Sequence, residues 1–284
     1  MSVVVPVFNG LPHLRSLVDC LVAQNYPNLE IVFSEGGGSD GSLDYLRTLD
    51  DPRITILEQP AGTSAAENWT RASQAATGEF TKLICQDDLL TPTAIQDQVH
   101  DLITNPTAVM AIAARDIVDA HGRVIFTRRG LAGLKGVSLP GEATIRACYL
   151  HGTNVMGEPL AVLFRTSALQ ASLPWIDHNP LMLDLSMYAK VAPLGDVVIR
   201  RNSVGAFRVS NSSWSTRLAR RQLEQTRQWQ QEYEANHLGS ISRWQKARSK
   251  AGRGTQTTLR RIAYTVLSVR GRLGANDDAP TMNG

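Results

Sequence analysis

Phe80-Thr81-Lys82-Leu83-Ile84-Cys85-Gln86-Asp87-Asp88 runs an apolar segment straight into two adjacent carboxylates. Residues 80–85 read as a buried strand, short and rich in apolar side chains. Asp87 and Asp88 then repel one another, so a fold that keeps both at a strand end gains something from them. One gain is a hard cation, Mg²⁺ or Mn²⁺, which takes carboxylate and phosphate oxygens together. The other is a helix dipole: Thr91-Pro92 reads as the cap and first residue of a helix, whose N-terminus favours nearby acids. Both explanations stand at this point.

Working outward, residues 2–7, 29–34 and 53–58 are further apolar runs of strand length. Between them, Leu14, Leu17, Val18, Leu21 and Val22 recur at helical spacing, and 42–49 and 65–76 are also helical in pattern. Gly78 supplies a stop for the last of these. Strand and helix thus alternate four times, the pattern of an α/β fold with a mostly parallel sheet covered on both faces. Ligands bind such sheets beyond the carboxyl ends of the strands. The loops there are Phe8-Asn9-Gly10, the glycine-rich Glu35–Asp40 loop and Gln86-Asp87-Asp88. The glycine-rich loop is neither GxGxxG nor a phosphate loop, and by itself equally suits a tight turn. Beyond residue 108 we expect strands at 109–113 and 124–126 around the turn His121-Gly122, a helix near 142–149 and a strand at 161–164. A helix at 183–191 and two strands at 197–201 and 204–209 follow.

The chain has 284 residues, 43% hydrophobic and 19% charged, with a formal net charge of +3. Such composition excludes disordered, collagen-like and disulfide-scaffold classes. No apolar run is long enough to span a membrane, and the N-terminus lacks the pattern of a signal peptide. Cys20, Cys85 and Cys148 lie far apart without metal or redox spacing, consistent with free thiols in a reducing cytoplasm. The six histidines form no zinc pattern. The average charge hides a division. Residues 1–199 hold 13 Lys and Arg against 21 Asp and Glu, whereas residues 200–275 hold 16 against 3. The two parts are suited to different partners.

Taken together, these residues resemble family-2 glycosyltransferases of the GT-A fold. Val3-Val4-Val5-Pro6-Val7-Phe8-Asn9-Gly10 resembles that family's opening strand, and Ser34-Glu35-Gly36-Gly37-Gly38-Ser39-Asp40 its second-strand loop. Asn68-Trp69, Gly78-Glu79-Phe80 and Gln86-Asp87-Asp88 follow in the family's order. Leu183-Asp184-Leu185 and Phe207-Arg208-Val209-Ser210 are similar to its acceptor-side motifs. The resemblance covers residues 1–215. It implies transfer of a sugar, with inversion, from a nucleotide-sugar (a UDP-sugar first) to a hydroxyl of a glycan or lipid-linked acceptor, as in cell-surface polysaccharide or glycolipid synthesis. Pro6, Phe8, Asn9 and Asn68 would line the nucleotide site. Glu35 would contact the base, Asp40 would support the loop and Asp87 would face the ribose or donor sugar. Asp88 would hold the metal, and Asp184 would be the general base. Glu158, Arg208 and Trp214 are acceptor-side candidates.

The sequence also departs from the family. Glu35 stands for the usual Asp, Gly36 for a second Asp, and Glu67 for an Arg before Asn68. Lys82 or Arg71 would have to reach the phosphate in place of that arginine, although Lys82 also suits a lysine snorkelling from its strand. These departures keep open a catalytically inactive binding protein. A nucleotidyltransferase is the third possibility, weakened by the absence of a basic glycine-rich loop after the first strand.

Residues 216–284 form a basic helical extension with its own reading. Leu259, Ile262, Ala263, Val266 and Leu267 make an apolar stripe flanked by Arg260, Arg261, Arg270 and Arg272. Residues 216–273 suit an anionic membrane surface, with the protein cytoplasmic and peripheral. They equally suit a helix packed on the first domain. No nucleic-acid motif is present, so no nucleic-acid partner is expected.

Overall fold

The computed structural model describes residues 1–176, 178–210, 221–237 and 239–269, with residues 260–269 described by backbone alone. The first half alternates as the hydrophobic pattern requires: β1 (Ser2–Val7), α1 (His13–Val22), β2 (Glu30–Glu35), α2 (Ser42–Arg47), β3 (Ile54–Glu58), α3 (Ala65–Gln74) and β4 (Phe80–Leu83). Then come β5 (Leu89–Leu90), α4 (Ala94–Thr104), β6 (Ala108–Val118), β7 (Val124–Arg129), β8 (Ser138–Pro140) and α5 (Gly141–His151). The order continues with β9 (Val162–Arg165), α6 (Thr166–Ser172), α7 (Leu183–Val191) and β10 (Asp196–Arg208). It ends with α8 (Gln222–Asn236) and α9 (Arg243–Val269).

The ten strands among the described residues join one sheet in the order β3-β2-β1-β4-β9-β6-β10-β5, with β7 paired to β6 and β8 to β10. β1, β2, β3 and β4 are parallel, as are β6 and β10; β9 is antiparallel to both β4 and β6. Six strands therefore run one way. β1 is buried along its whole length, as a strand covered on both faces must be. Its alternate residues feed two cores. Val3, Val5 and Val7 join α1 and α4 through Leu14, Leu17, Ile95 and Val99, whereas Val4 joins α3, α5 and α7. In that second core Trp69 meets Trp175 edge-on at 5.0 Å. Each such side chain contributes roughly 1.5–3 kcal/mol by leaving water.

The structure corrects two sequence expectations. Thr91-Pro92 does not open a helix: α4 begins at Ala94, with Thr93 at its cap position, and β5 lies between it and the acid pair. Asp87 and Asp88 are therefore no part of that helix's first turn, which removes the dipole explanation. Residues 196–208 form one strand rather than two, with register shifts between Arg200 and Ser203 and between Ser203 and Ala206. Glu67 is a structural residue. Ser64 caps α3 by accepting from the Glu67 N–H, and the Glu67 carboxylate accepts from the Ser64 N–H.

α8 and α9 pack on each other and on α5. Tyr149 stacks on Tyr233 at 4.9 Å, and its hydroxyl donates to Glu234 at 2.7 Å. Trp229 and Tyr233 belong to the same core as the sheet. This packed arrangement is one of the two open alternatives for the basic extension. The apolar stripe itself falls largely on residues 260–269, whose side chains lie outside the described residues.

Candidate active site

The parallel strands end together on one side of the sheet, and short hydrogen bonds sew their loops to one another. At the end of β1, the Val7 carbonyl accepts from the Gly36 N–H (2.8 Å) and from Asn68 Nδ2 (3.2 Å). Gln86 grips the next residue by both backbone groups: its Oε1 accepts from the Phe8 N–H (2.8 Å), and its Nε2 donates to the Phe8 carbonyl (2.9 Å). Asn9 adopts a left-handed backbone (φ 49°), which Asn tolerates better than most residues, and its Oδ1 accepts from the Ser39 N–H. Phe8, Asn9, Glu35, Asp40 and Asn68 thus share one loop cluster. Pro6 lies just below it, buried within β1 opposite Ser34.

Glu35 builds this cluster from inside and Asp40 from its exposed rim. The Glu35 carboxylate is 2% exposed and accepts from the Gly37 and Gly38 N–H groups, each at 2.9 Å. Asp40 accepts from the Leu11 N–H and from both the N–H and hydroxyl of Ser42, whose Oγ in turn accepts from the Gly10 N–H. A side chain at Gly38 would bring its Cβ to 2.7 Å from Asn9 Oδ1, so the tight approach requires glycine there.

Lys82 is not where the sequence suggested. It is wholly buried, neither snorkelling nor on the loop rim, and its ammonium donates to Gln98 Oε1 (2.7 Å) and the Val162 carbonyl (3.1 Å). Burial pulls its pKa down to about 7, and the charge of Asp88 opposes that fall. It offers no phosphate contact from the surface. Arg71 donates to Gln59 at 2.5 Å.

Beyond β4 lies a pocket of carboxylates. Asp88 is 1% exposed; its Oδ1 accepts a long bond from the Arg208 N–H (3.4 Å), and its Oδ2 is buried without a hydrogen-bond partner. Burial, then Asp87 and Glu158, push its carboxyl well above the ordinary range. Arg208 Nε donates to the Asp87 carbonyl at 3.0 Å, so β10 fixes the acid pair from the neighbouring strand. Glu158 forms an ion pair with Arg115 of β6. Asp184, in the first turn of α7, accepts from Asn154 Nδ2 (2.9 Å) and the Leu185 N–H (2.7 Å). Burial pushes its pKa up to about 7, with Glu158 adding to the rise. The thiol of Cys85 registers the convergence: burial raises it, followed by Asp88, Asp87, Asp184 and Glu158 in turn. Segments distant in sequence thus bring four carboxylates within electrostatic reach of the Cys85 thiol.

Among the described residues no three His, Cys, Asp or Glu side chains are arranged to hold a metal. The orphaned Asp88 oxygen nevertheless fits a hard divalent cation, which needs only one or two carboxylates when substrate phosphates supply the rest. Trp214 lies outside the described residues. Gln86, Arg115 and Asn154 also help to form the site; the sequence placed Gln86 in a strand-end motif and Asn154 in an expected acceptor loop without giving either a role, and it did not single out Arg115. Gln86 adjoins the acid pair it helps to place. Arg115 carried one sequence signal, an arginine continuing an apolar strand.

The sequence profile described as Glycosyl transferase family 2 matches residues 2–169, more than half of the chain. An uncharacterized glycosyltransferase of Escherichia coli K12, YibD, is 30% identical over 96 residues, covering 33% of this chain and 27% of YibD. Glycosyltransferase GlyG of Streptococcus pneumoniae is 29% identical over 98 residues, covering 34% of this chain and 33% of GlyG. The chain thus spans about a third or less of these relatives. Among solved structures, S. aureus TarS 1-349 in complex with UDP superposes with a TM-score of 0.59 at 15% identity, covering 79% of this chain and 64% of that one. A mannosyltransferase from Pyrobaculum calidifontis in complex with GDP-Man and Mn²⁺ gives 0.55 at 14% identity, covering 94% and 80%. These identities bear on the fold, which is that of GT-A glycosyltransferases. With its profile, its fold and its strand-end loops in agreement, the chain belongs to glycosyl transferase family 2.

Proposed function

We propose that this transferase moves a sugar, with inversion, from a nucleotide-sugar to a hydroxyl of a glycan or lipid-linked acceptor in cell-surface polysaccharide or glycolipid synthesis. A UDP-sugar is the first choice of donor. The observation that carries the proposal is Asp184, whose pKa burial pushes up to about 7; it comes from a different element than Asp88, and both carboxyls feel the charge of Glu158. One carboxylate is poised to take a proton at physiological pH, and another has an unsatisfied oxygen for a cation. Inverting transfer needs this division.

In this mechanism Phe8, Asn9 and Asn68 line the nucleotide, with Pro6 beneath them, and Glu35 and Asp40 hold the loop in shape. Asp87 faces the ribose or donor sugar. Asp88 is the residue that would hold Mg²⁺ or Mn²⁺, which supplies charge neutralisation for the diphosphate. Asp184 accepts the proton of the acceptor hydroxyl while that oxygen forms its bond to the anomeric carbon and the nucleotide departs. Glu158 and Arg208 border the acceptor side. The bound UDP of TarS and the GDP-Man and Mn²⁺ of the mannosyltransferase support this assignment of donor and metal. Residues 1–215 act as the transferase unit and 216–284 as a basic extension. Trp244, 65% exposed on α9 with the Arg248 guanidinium over its ring, supports contact of that extension with an anionic membrane surface. The protein is then cytoplasmic and peripheral, and no helix among the described residues is long and apolar enough to cross a membrane.

Thermal unfolding tests the proposal. UDP with Mn²⁺ is expected to raise the melting temperature of the wild type, and Asp88→Ala to abolish the rise. If UDP, dTDP and GDP all leave the wild type unchanged with metal present, the enzyme assignment fails. The second reading, an inactive binding protein, then stands, favoured by a Glu35 carboxylate already satisfied by its own loop.

A further inference from the structure

The hairpin formed by the end of β6 and β7 is tied at both ends to the arginines that fix the site's carboxylates. At its turn, the Ala120 carbonyl accepts from Arg208 Nη1 (3.2 Å), while Nε of the same guanidinium holds the Asp87 carbonyl. At its return, Arg129 is the cross-strand partner of Arg115, which pairs with Glu158. Gly130 follows so closely that a Cβ there would collide with the Arg115 guanidinium. The hairpin therefore spans the acceptor side of the carboxylate pocket.

Its chemistry is opposite to that of the pocket. Residues 120–141 contain Arg123, Arg128, Arg129 and Lys135 and no Asp or Glu, within a part of the chain that is otherwise acidic. Arg123 is paired with Asp119. Arg128 and Arg129 are exposed and form no ion pair with a carboxylate among the described residues. Arg128 sits at φ 49°, its N–H held by Asp116 Oδ1 (2.8 Å), and Leu131 at φ 62°. Left-handed backbone at two non-glycine residues costs energy, and such strain collects at binding sites. Phe126 is 45% exposed, and the Arg129 guanidinium lies 5.2 Å from its ring centre. The aromatic face is thus capped by a cation, a surface for saccharide and anion rather than for insertion among acyl chains.

We propose that Arg128, Arg129 and Phe126 form an acceptor subsite for a glycan or polyol chain that carries negative charge, as phosphate esters or carboxylates, near the hydroxyl to be glycosylated. This inference rests on the transfer reading of the same site and names the class of its acceptor. A cationic wall beside a cluster of carboxylates holds an anionic chain in place while its neutral hydroxyl enters the pocket. A neutral chain gains no such attraction, so the wall favours anionic chains over neutral ones.

The test is binding by the full chain, without nucleotide-sugar, of poly(glycerol phosphate), polygalacturonate and neutral dextran. Binding of one or both polyanions is expected, weakening in about 1 M salt, where screening is nearly complete at contact distances; whichever binds names the anionic group. R128Q/R129Q is expected to weaken that binding about tenfold or more, equivalent to about 1.4 kcal/mol. K250Q/R253Q on α9 is expected to change it less than about twofold. Should the hairpin variant unfold, Arg129→Gln alone and Phe126→Ser carry the same expectation at reduced size. The proposal is overturned if dextran binds equally, or if the loss follows the α9 variant. It is also overturned if the hairpin variant loses binding to phosphatidylglycerol vesicles while polymer binding persists. No donor is present, so failure here leaves nucleotide-dependent stabilisation standing. Failure of that stabilisation likewise leaves the polymer result readable.

Discussion

A carboxyl and an amine, both displaced toward neutrality, give this site its pH behaviour. Asp184 must be ionised to accept a proton. With its pKa pushed up to about 7, chiefly by burial, kcat/KM for transfer is expected to rise with pH through about 7. Below that value it should fall by about tenfold per unit. Asp184→Asn is expected to lose about 10²–10⁴-fold in kcat, the usual contribution of a general base, while UDP and Mn²⁺ still raise the melting temperature. A flat profile below pH 7 would remove Asp184 from the role. Lys82 tests the buried side of the pocket through stability instead. Its pKa falls to about 7 in the folded chain against 10.5 for a freely solvated lysine, so above pH 7 the unfolded chain binds the extra proton. Stability from this group therefore grows as pH rises from about 7 toward the unfolded value and is lost as pH falls. Urea unfolding at pH 7 and pH 9 is expected to show that rise in the wild type. Lys82→Met should remove that component of it.

At the scale of elements, the site is made by loops that strands and caps hold still. α3 carries Asn68 to the end of β1, and its first turn is fixed by the reciprocal Ser64 and Glu67 bonds. Ser64→Ala is expected to cost about 1 kcal/mol in urea unfolding, and to raise KM for the donor more than it lowers kcat. A loss confined to kcat would mean that α3 does not position the nucleotide loop. The strands and helices up to β4 were legible in the sequence because apolar runs and helical periods are local properties. The acid pair at a strand end was legible for the same reason, whereas Asp184 was singled out through the family resemblance and not by a local pattern. Their surroundings were not. Lys82 looks like any strand lysine until Gln98 and the Val162 carbonyl arrive from other elements. The Glu35 carboxylate turns back onto two glycine N–H groups through loop geometry that residue type does not encode. The insertion of β9 between β4 and β6 is a non-local pairing, Thr81 with Phe164 and Ala111 with Leu163, with no short-range signal. That insertion carries the segment ending in Glu158 toward the carboxylates, which explains why this part of the site was harder to read than the loops at the ends of β1 and β2.

At the scale of the whole molecule, the charge division becomes a spatial one, with the carboxylate pocket on the sheet and the cations of α8 and α9 across α5. Those helices are part of the fold, since Trp229 and Tyr233 are buried in the core cluster and Tyr149 bonds to Glu234. Deleting residues 216–284 would strip that packing, and lost vesicle binding would then not separate a lipid contact from a damaged protein. Surface variants avoid the difficulty. Trp244 and Arg248 stack on each other on the outside of α9, and Leu259 of the same helix is also exposed. A tryptophan beside arginines gains most at a lipid headgroup boundary, where its ring leaves water and the cations meet anionic lipid. W244S/R248S is therefore expected to weaken binding to vesicles containing phosphatidylglycerol about tenfold, leaving the melting temperature within about 2 °C of wild type because neither residue is buried. Binding should also fall with added salt in the wild type. If the variant binds such vesicles as tightly as the wild type, the membrane contact of α9 fails and its cations serve only to keep the helix solvated. The acceptor subsite proposed for the β6–β7 hairpin is untouched by that result, because it draws on a separate set of arginines.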